Sequence, residues 1–89
     1  MKTREEHKEL LDIVSSKRRM LVLHNDDHNT FEFVVDSLIK ICRHDEMQAE
    51  QCAMIAHFNG KCEVRKGIFE DLKLMKDELL ERGISVTID

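Results

Sequence analysis

Two polar clusters hold the side chains whose types could do chemistry. The first is Asn25-Asp26-Asp27, directly after the apolar run Met20-Leu21-Val22-Leu23; the second is His57, just ahead of Gly60. Carboxylates and an amide oxygen accept hydrogen bonds, and a neutral imidazole can donate or accept. Each cluster also has an ordinary structural role: Asn-Asp-Asp before a helix is turn and cap chemistry, and a histidine near a helix C-terminus sits favourably on the helix dipole. Catalysis is not indicated. The chain has no G-x-S-x-G elbow, no H-E-x-x-H, no phosphate-cradling glycine loop and no local signature of a Cys-His pair, so we do not read it as an enzyme. His24, Asp26, Asp27, His28 and the pairs Cys42/His44 and Cys52/His57 carry ligand-capable atoms, which keeps a small metal-binding domain as an alternative. Against it, Cys52 and His57 are five residues apart and so fall off one helical face, and Cys42 lies on an apolar stripe. No metal and no other cofactor is expected.

The elements that must position these residues follow from periodicity. Met20 to Leu23 reads as a buried strand that stops at the turn-rich string His24 to Thr30. From Phe31, apolar residues recur at helical spacing as Val34, Val35, Leu38, Ile41 and Cys42, with Asn29 or Thr30 as the cap and Glu32 near the positive end. A second helix runs through Ala49, Cys52, Ala53 and Ala56, with Asp45 as its cap and Gly60 as its end. Lys61 to Arg65 alternates as a half-buried strand does, and Lys66-Gly67 reads as a turn. The third helix carries the stripe Phe69, Leu72, Met75 or Lys76, Leu79 and Leu80, closed by Gly83, and Ile84 to Ile88 alternates as a last strand. The expected fold is α/β in the α+β sense, β-α-α-β-α-β, with a three-stranded antiparallel sheet packed against three helices.

Length and charge narrow the function further. Eighty-nine residues suit one domain with one core. A net charge of −4 with both signs interspersed, and the lack of Tyr and Trp, argue against nucleic acid as a partner. No apolar run approaches the roughly 20 residues of a membrane span, so no membrane is expected. Residues 1–17 are charge-rich without a signal or transit pattern; we expect a flexible or partly helical arm, an ordered domain over 18–89, and a cytoplasmic location. Cys42, Cys52 and Cys62 are odd in number with no C-x-x-C pair, and read as reduced, mostly buried thiols.

Together the runs Leu23-His24-Asn25-Asp26-Asp27, Phe31-Glu32-Phe33-Val34-Val35, Gln48-Ala49-Glu50-Gln51 and His57-x-x-Gly60-Lys61 resemble the ClpS family, the bacterial N-degron adaptors, from about Arg18 to the C-terminus. The resemblance implies the β-α-α-β-α-β fold and a non-catalytic, monomeric adaptor. Such an adaptor binds proteins beginning with Leu, Phe, Tyr or Trp and delivers them to a Clp AAA+ unfoldase of the ClpA or ClpC kind. It also implies that Asn25 and His57 bind the substrate α-amino group, with acidic help from Asp26 and Asp27. That residue set suits the task, since a protonated amine presents three N–H donors and one positive charge.

By the same resemblance, the side chain of the bound residue would enter a slot lined by Asn29, Phe31, Val34, Ala53, Ala56 and Ile84. Phe31, Val34 and Ala53 also lie on stripes that would be core in any such fold. The sequence departs from the family pattern where His28 and Thr30 replace an aromatic and a proline, where Phe31 stands in place of a gating Met, and where Ala53 stands opposite it in place of a frequent Met. The stretch from Glu63 to Met75 is also shorter than usual and lacks an E-T-K element that helps unfoldase docking. A further alternative is a protein-recruiting module like the C-terminal domain of the ribosomal stalk protein, which shares the architecture.

Overall fold

A computed structural model describes residues 17–89; apart from Lys17, the expected arm over 1–17 lies outside the described residues. The elements are β1 (Arg18–His24), α1 (Phe31–Cys42), α2 (Glu46–Asn59), β2 (Lys61–Ile68), α3 (Phe69–Glu81) and β3 (Val86–Ile88). β1 is the middle strand of the order β2-β1-β3 and is antiparallel to both neighbours. The β-α-α-β-α-β order and the three-stranded antiparallel sheet expected from the periodicity are therefore found.

Side chains alternate along a strand, so Leu21 and Leu23 share one face of β1. They join Leu38, Ile41 and Cys42 of α1, Ala49, Cys52 and Ala56 of α2, and Leu72 and Leu79 of α3 in one buried cluster. Full burial of a leucine contributes about 1.5–3 kcal/mol, so this cluster is the main force holding the helices on the sheet. α2 buries only small side chains, Ala49, Cys52, Ala53 and Ala56, and leaves Met47, Met54, Ile55 and Phe58 outside.

The helix starts follow from cap chemistry. Thr30, rather than Asn29, caps α1: its Oγ1 accepts from the Phe33 N–H at 3.1 Å. Asp45 caps α2 by accepting from the Gln48 N–H at 2.7 Å. At the far end of α1, Arg43 takes a left-handed conformation, φ 58°, uncommon for a residue with a Cβ.

Three local expectations are corrected. Lys66-Gly67 is not a turn: β1 reaches back to Arg18, and Gly67 pairs with Arg19 in a longer β2. That strand carries a bulge, because Leu21 faces Arg65 while Val22 faces Glu63, leaving Val64 as the extra residue. The carbonyl of Val64 accepts from buried His44 Nε2 at 2.8 Å. The α3 stripe is narrower than read: Leu72 and Leu79 are fully buried, but Phe69 and Leu80 are each 47% exposed. Leu80 lies about 100° round the helix from Leu79 and so leaves the contact line. Finally, Ile84 precedes β3 rather than opening it, because its N–H closes α3 by donating to Leu79 O at 3.0 Å.

Gly60 ends α2 at φ 92°, and the space its missing Cβ would occupy is open. Its cost on substitution is therefore backbone strain alone. Gly60→Ala should destabilise by about 1–2 kcal/mol and lower Tm by roughly 4–16 °C, with D-alanine at the same position restoring it. An unchanged Tm for the L-alanine variant would show that the turn does not need its positive φ. The converse change, Arg43→Gly, relieves strain and should raise stability by ~1 kcal/mol in urea unfolding; a loss of stability would mean the Arg43 side chain outweighs its backbone cost.

Candidate functional site

The segment between β1 and α1 is fastened to the ends of two helices. The Asn25 N–H donates to Gly60 O at 2.9 Å, which binds it to the left-handed turn after α2. Asn29 Nδ2 donates to Gly83 O at 2.8 Å, which binds it to the glycine after α3. Between them Asp26 organises the loop: its Oδ1 accepts from the His28 N–H at 3.0 Å and the Asn29 N–H at 2.9 Å, and its Oδ2 accepts from Asn29 Nδ2 at 3.0 Å. Partial burial pushes the Asp26 carboxyl up. The bonds from the Asn29 side chain and the Asn29 and His28 backbones, with the charge of His28, outweigh it and hold the carboxyl below its ordinary value. Asp26 is thus a persistent negative charge.

Below this loop is a cavity of about 390 Å3, lined by Leu23, His24, Asn25, Asp26, Asp27, Asn29, Phe31, Val34, Ala53, Ala56 and His57. Three elements meet there. The end of β1 and its loop supply the polar rim, Phe31 and Val34 come from one face of α1, and Ala53, Ala56 and His57 share one face of α2 at i, i+3, i+4 spacing. The side chains of Asn25, Asp27 and His57 make no hydrogen bond to the other described residues. His57 instead stands edge-on to the exposed ring of Phe58, with centroids 5.0 Å apart.

Nine of the ten side chains expected at the site, Asn25, Asp26, Asp27, Asn29, Phe31, Val34, Ala53, Ala56 and His57, border this one cavity. Ile84 does not: it is 1% exposed and packed in the core, where its backbone is held by the end of α3. Leu23 and His24 line the cavity without having been expected in its lining. Their adjacency to Asn25 on an alternating strand was the available signal, and His24 is tied down by Thr87 Oγ1, 2.7 Å from its Nε2. Two residues weighed as metal ligands are spent structurally, His24 on Thr87 and His44 on Val64 O. Among the described residues, no three His, Cys, Asp or Glu side chains gather as a cation would require.

A larger groove of about 580 Å3 lies between β2 and α3, but Arg18, Arg43, Arg65 and Lys66 outnumber Asp71 and Glu78 along it. Its sign is wrong for a cationic group. The smaller cavity is lined by acceptors and carboxylates from the loop after β1 and by apolar carbon from the two helices, with neither Lys nor Arg among its lining residues. It can therefore take a group that is cationic at one end and apolar at the other.

Comparison with known proteins places this geometry in a family. The chain is similar to a solved structure of Agrobacterium tumefaciens ClpS2 bound to L-phenylalaninamide, with a TM-score of 0.72 and 26% sequence identity over 82% of this chain and 95% of that one. Residues 15–87 match the family model described as ATP-dependent Clp protease adaptor protein ClpS. The match spans every element that builds the cavity, and the chain belongs to the ClpS family, non-catalytic adaptors of the ATP-dependent Clp protease.

Proposed function

We propose that this adaptor holds the free α-amino group and bulky apolar side chain of N-degron substrates, those beginning with Leu, Phe, Tyr or Trp, and passes them to a Clp AAA+ unfoldase. The observation that carries the reading is the make-up of the 390 Å3 cavity, which is lined by the uncommitted acceptors Asn25, Asp27 and His57 together with apolar Phe31, Val34, Ala53 and Ala56. Its volume falls in the roughly 300–1,000 Å3 range of small-molecule sites. The ligand named in the related structure has the same two-ended chemistry, an α-amino group beside a benzyl side chain.

In this reading the three amine N–H bonds point to Asn25 Oδ1, one ring nitrogen of His57 and an acidic acceptor, direct or through water. Asp26 contributes mainly field, because the Asn29 side chain and two backbone N–H groups already occupy its oxygens. Asp27 has no such engagement and is the carboxylate free to turn toward the amine.

Removing either partner of a hydrogen bond to a charged group costs ~1.5–3 kcal/mol, so Asn25→Ala and His57→Ala should each weaken a Leu-initiated peptide roughly ten- to 150-fold in fluorescence anisotropy. Acetylating the peptide should do at least as much, since it removes the charge and two donors while leaving the side chain. Affinity should also fall as base deprotonates the ligand amine above its pKa of about 7.7–8.0. Equal affinity for free and acetylated peptides would refute the proposal.

Ala53 is buried and lines the same cavity as Phe31, so enlarging it should narrow the slot. Ala53→Met is expected to disfavour Trp- and Phe-initiated peptides relative to Leu by ~1–3 kcal/mol, with Tm measured alongside to show that the fold survives. A Leu-to-Trp preference that stays constant would remove Ala53 from the slot.

A further inference from the structure

Cys52 Sγ and Cys62 Sγ lie 2.8 Å apart, although the two residues are ten positions apart in sequence. Cys52 comes from the inner face of α2 and Cys62 from the start of β2, so they clasp the Gly60 turn from either side. We propose that Cys52 and Cys62 are a redox modification site, forming a reversible intramolecular disulfide by exchange with a low-molecular-weight disulfide such as oxidised glutathione.

The spacing decides between the things two sulfurs can do. A disulfide needs about 2.05 Å, so the sulfurs must close by roughly 0.8 Å, within the reach of a χ1 adjustment. Two thiolates on one tetrahedral zinc would stand about 3.8 Å apart, given a Zn–S bond of about 2.3 Å, so these would have to separate. Among the described residues no third or fourth ligand joins them. Cys42 is the internal control: it is fully buried, and burial pushes its thiol up to about 11.

The chemistry runs in two exchanges. Cys62, the more exposed of the pair, attacks one sulfur of the small disulfide as thiolate, giving a mixed disulfide and releasing one small thiolate. Cys52 then gives up its proton to solvent and attacks the Cys62 sulfur, expelling the second small thiolate. The two leaving thiolates take up the two protons, so two protein thiols are oxidised and one small disulfide is reduced. Burial and the neighbouring thiol hold the Cys52 proton tightly, which makes the second exchange the slow one and one that speeds up with rising pH. The closed ring spans residues 52–62 and so contains Ala53, Ala56, His57 and Gly60. Oxidation would fix the end of α2 against the sheet without touching the cavity's own atoms.

The test incubates the full chain with oxidised glutathione, reads Tm on one portion, and in a second portion alkylates the remaining thiols in denaturant before following intact mass and cross-linked peptides. We expect a loss of about 2 Da with a single Cys52–Cys62 cross-link, Cys42 alkylated, reversal by dithiothreitol, and a Tm raised by roughly 10–20 °C. C62S should show none of this, and C42S should behave as the wild type. A lasting glutathione adduct on Cys62, a cross-link through Cys42, no reaction in the native protein, or a cross-linked protein with unraised Tm would each overturn the proposal.

Discussion

One backbone hydrogen bond holds the two halves of the site together: Asn25 N–H to Gly60 O, 2.9 Å long. Asn25 and His57 are far apart in sequence and on different elements, and only the turn after α2 brings them to one rim. Gly60 makes that turn by sitting at φ 92°, where a residue with a Cβ is strained, and by donating to Ala56 O at 2.9 Å while accepting from Asn25. Strand pairing continues from the same point, since His24 and Lys61 are register partners. The sheet, the helix end and the loop after β1 therefore share one junction, and the geometry of the candidate site is only as stable as that junction.

The polar residues divide between building the site and remaining open within it. Asp26 and Asn29 are consumed by each other, by two backbone N–H groups and by Gly83 O. This keeps the loop in one shape and keeps Asp26 ionised. Asn25, Asp27 and His57 are left with unused capacity at the cavity. Such capacity is inexpensive where water can reach it, and in the proposed reading it would become a source of selectivity once an apolar ligand excluded that water. The apolar half is made by deletion: the only apolar residues α2 brings to the cavity are Ala53 and Ala56, so space remains where larger residues would have closed the core.

Periodicity made most of the fold legible, because apolar residues recur at 3.6 spacing through Leu38, Ile41 and Cys42 and at 2 through the last strand. What it missed depends on partners distant in sequence. The Lys66-Gly67 pair has turn composition but is held in β2 because Arg18 and Arg19 extend β1 alongside it, and no local signal announces that pairing. The bulge at Val64 shifts the register for a similar reason, a carbonyl turned toward His44. At the site, Asn25-Asp26-Asp27 and His57 were visible as residue types, yet each alone has a bland reading as a cap or dipole partner. Their order and spacing carried the family resemblance. The roles of Asp26 and Asn29 as scaffold, and the withdrawal of Ile84 into the core, are matters of side-chain direction that spacing does not encode.

The central claim is that an amine with an apolar tail sits between Asn25, His57 and the small face of α2. Titrating L-phenylalaninamide into isotope-labelled protein and following side-chain and backbone NMR signals tests it directly. The account predicts saturable shifts at the Asn25 carboxamide, the His57 ring, and Ala53 and Ala56, with the groove around Arg18, Arg65 and Asp71 unmoved. Shifts confined to that basic groove, or none at the Asn25 and His57 side chains, would contradict it.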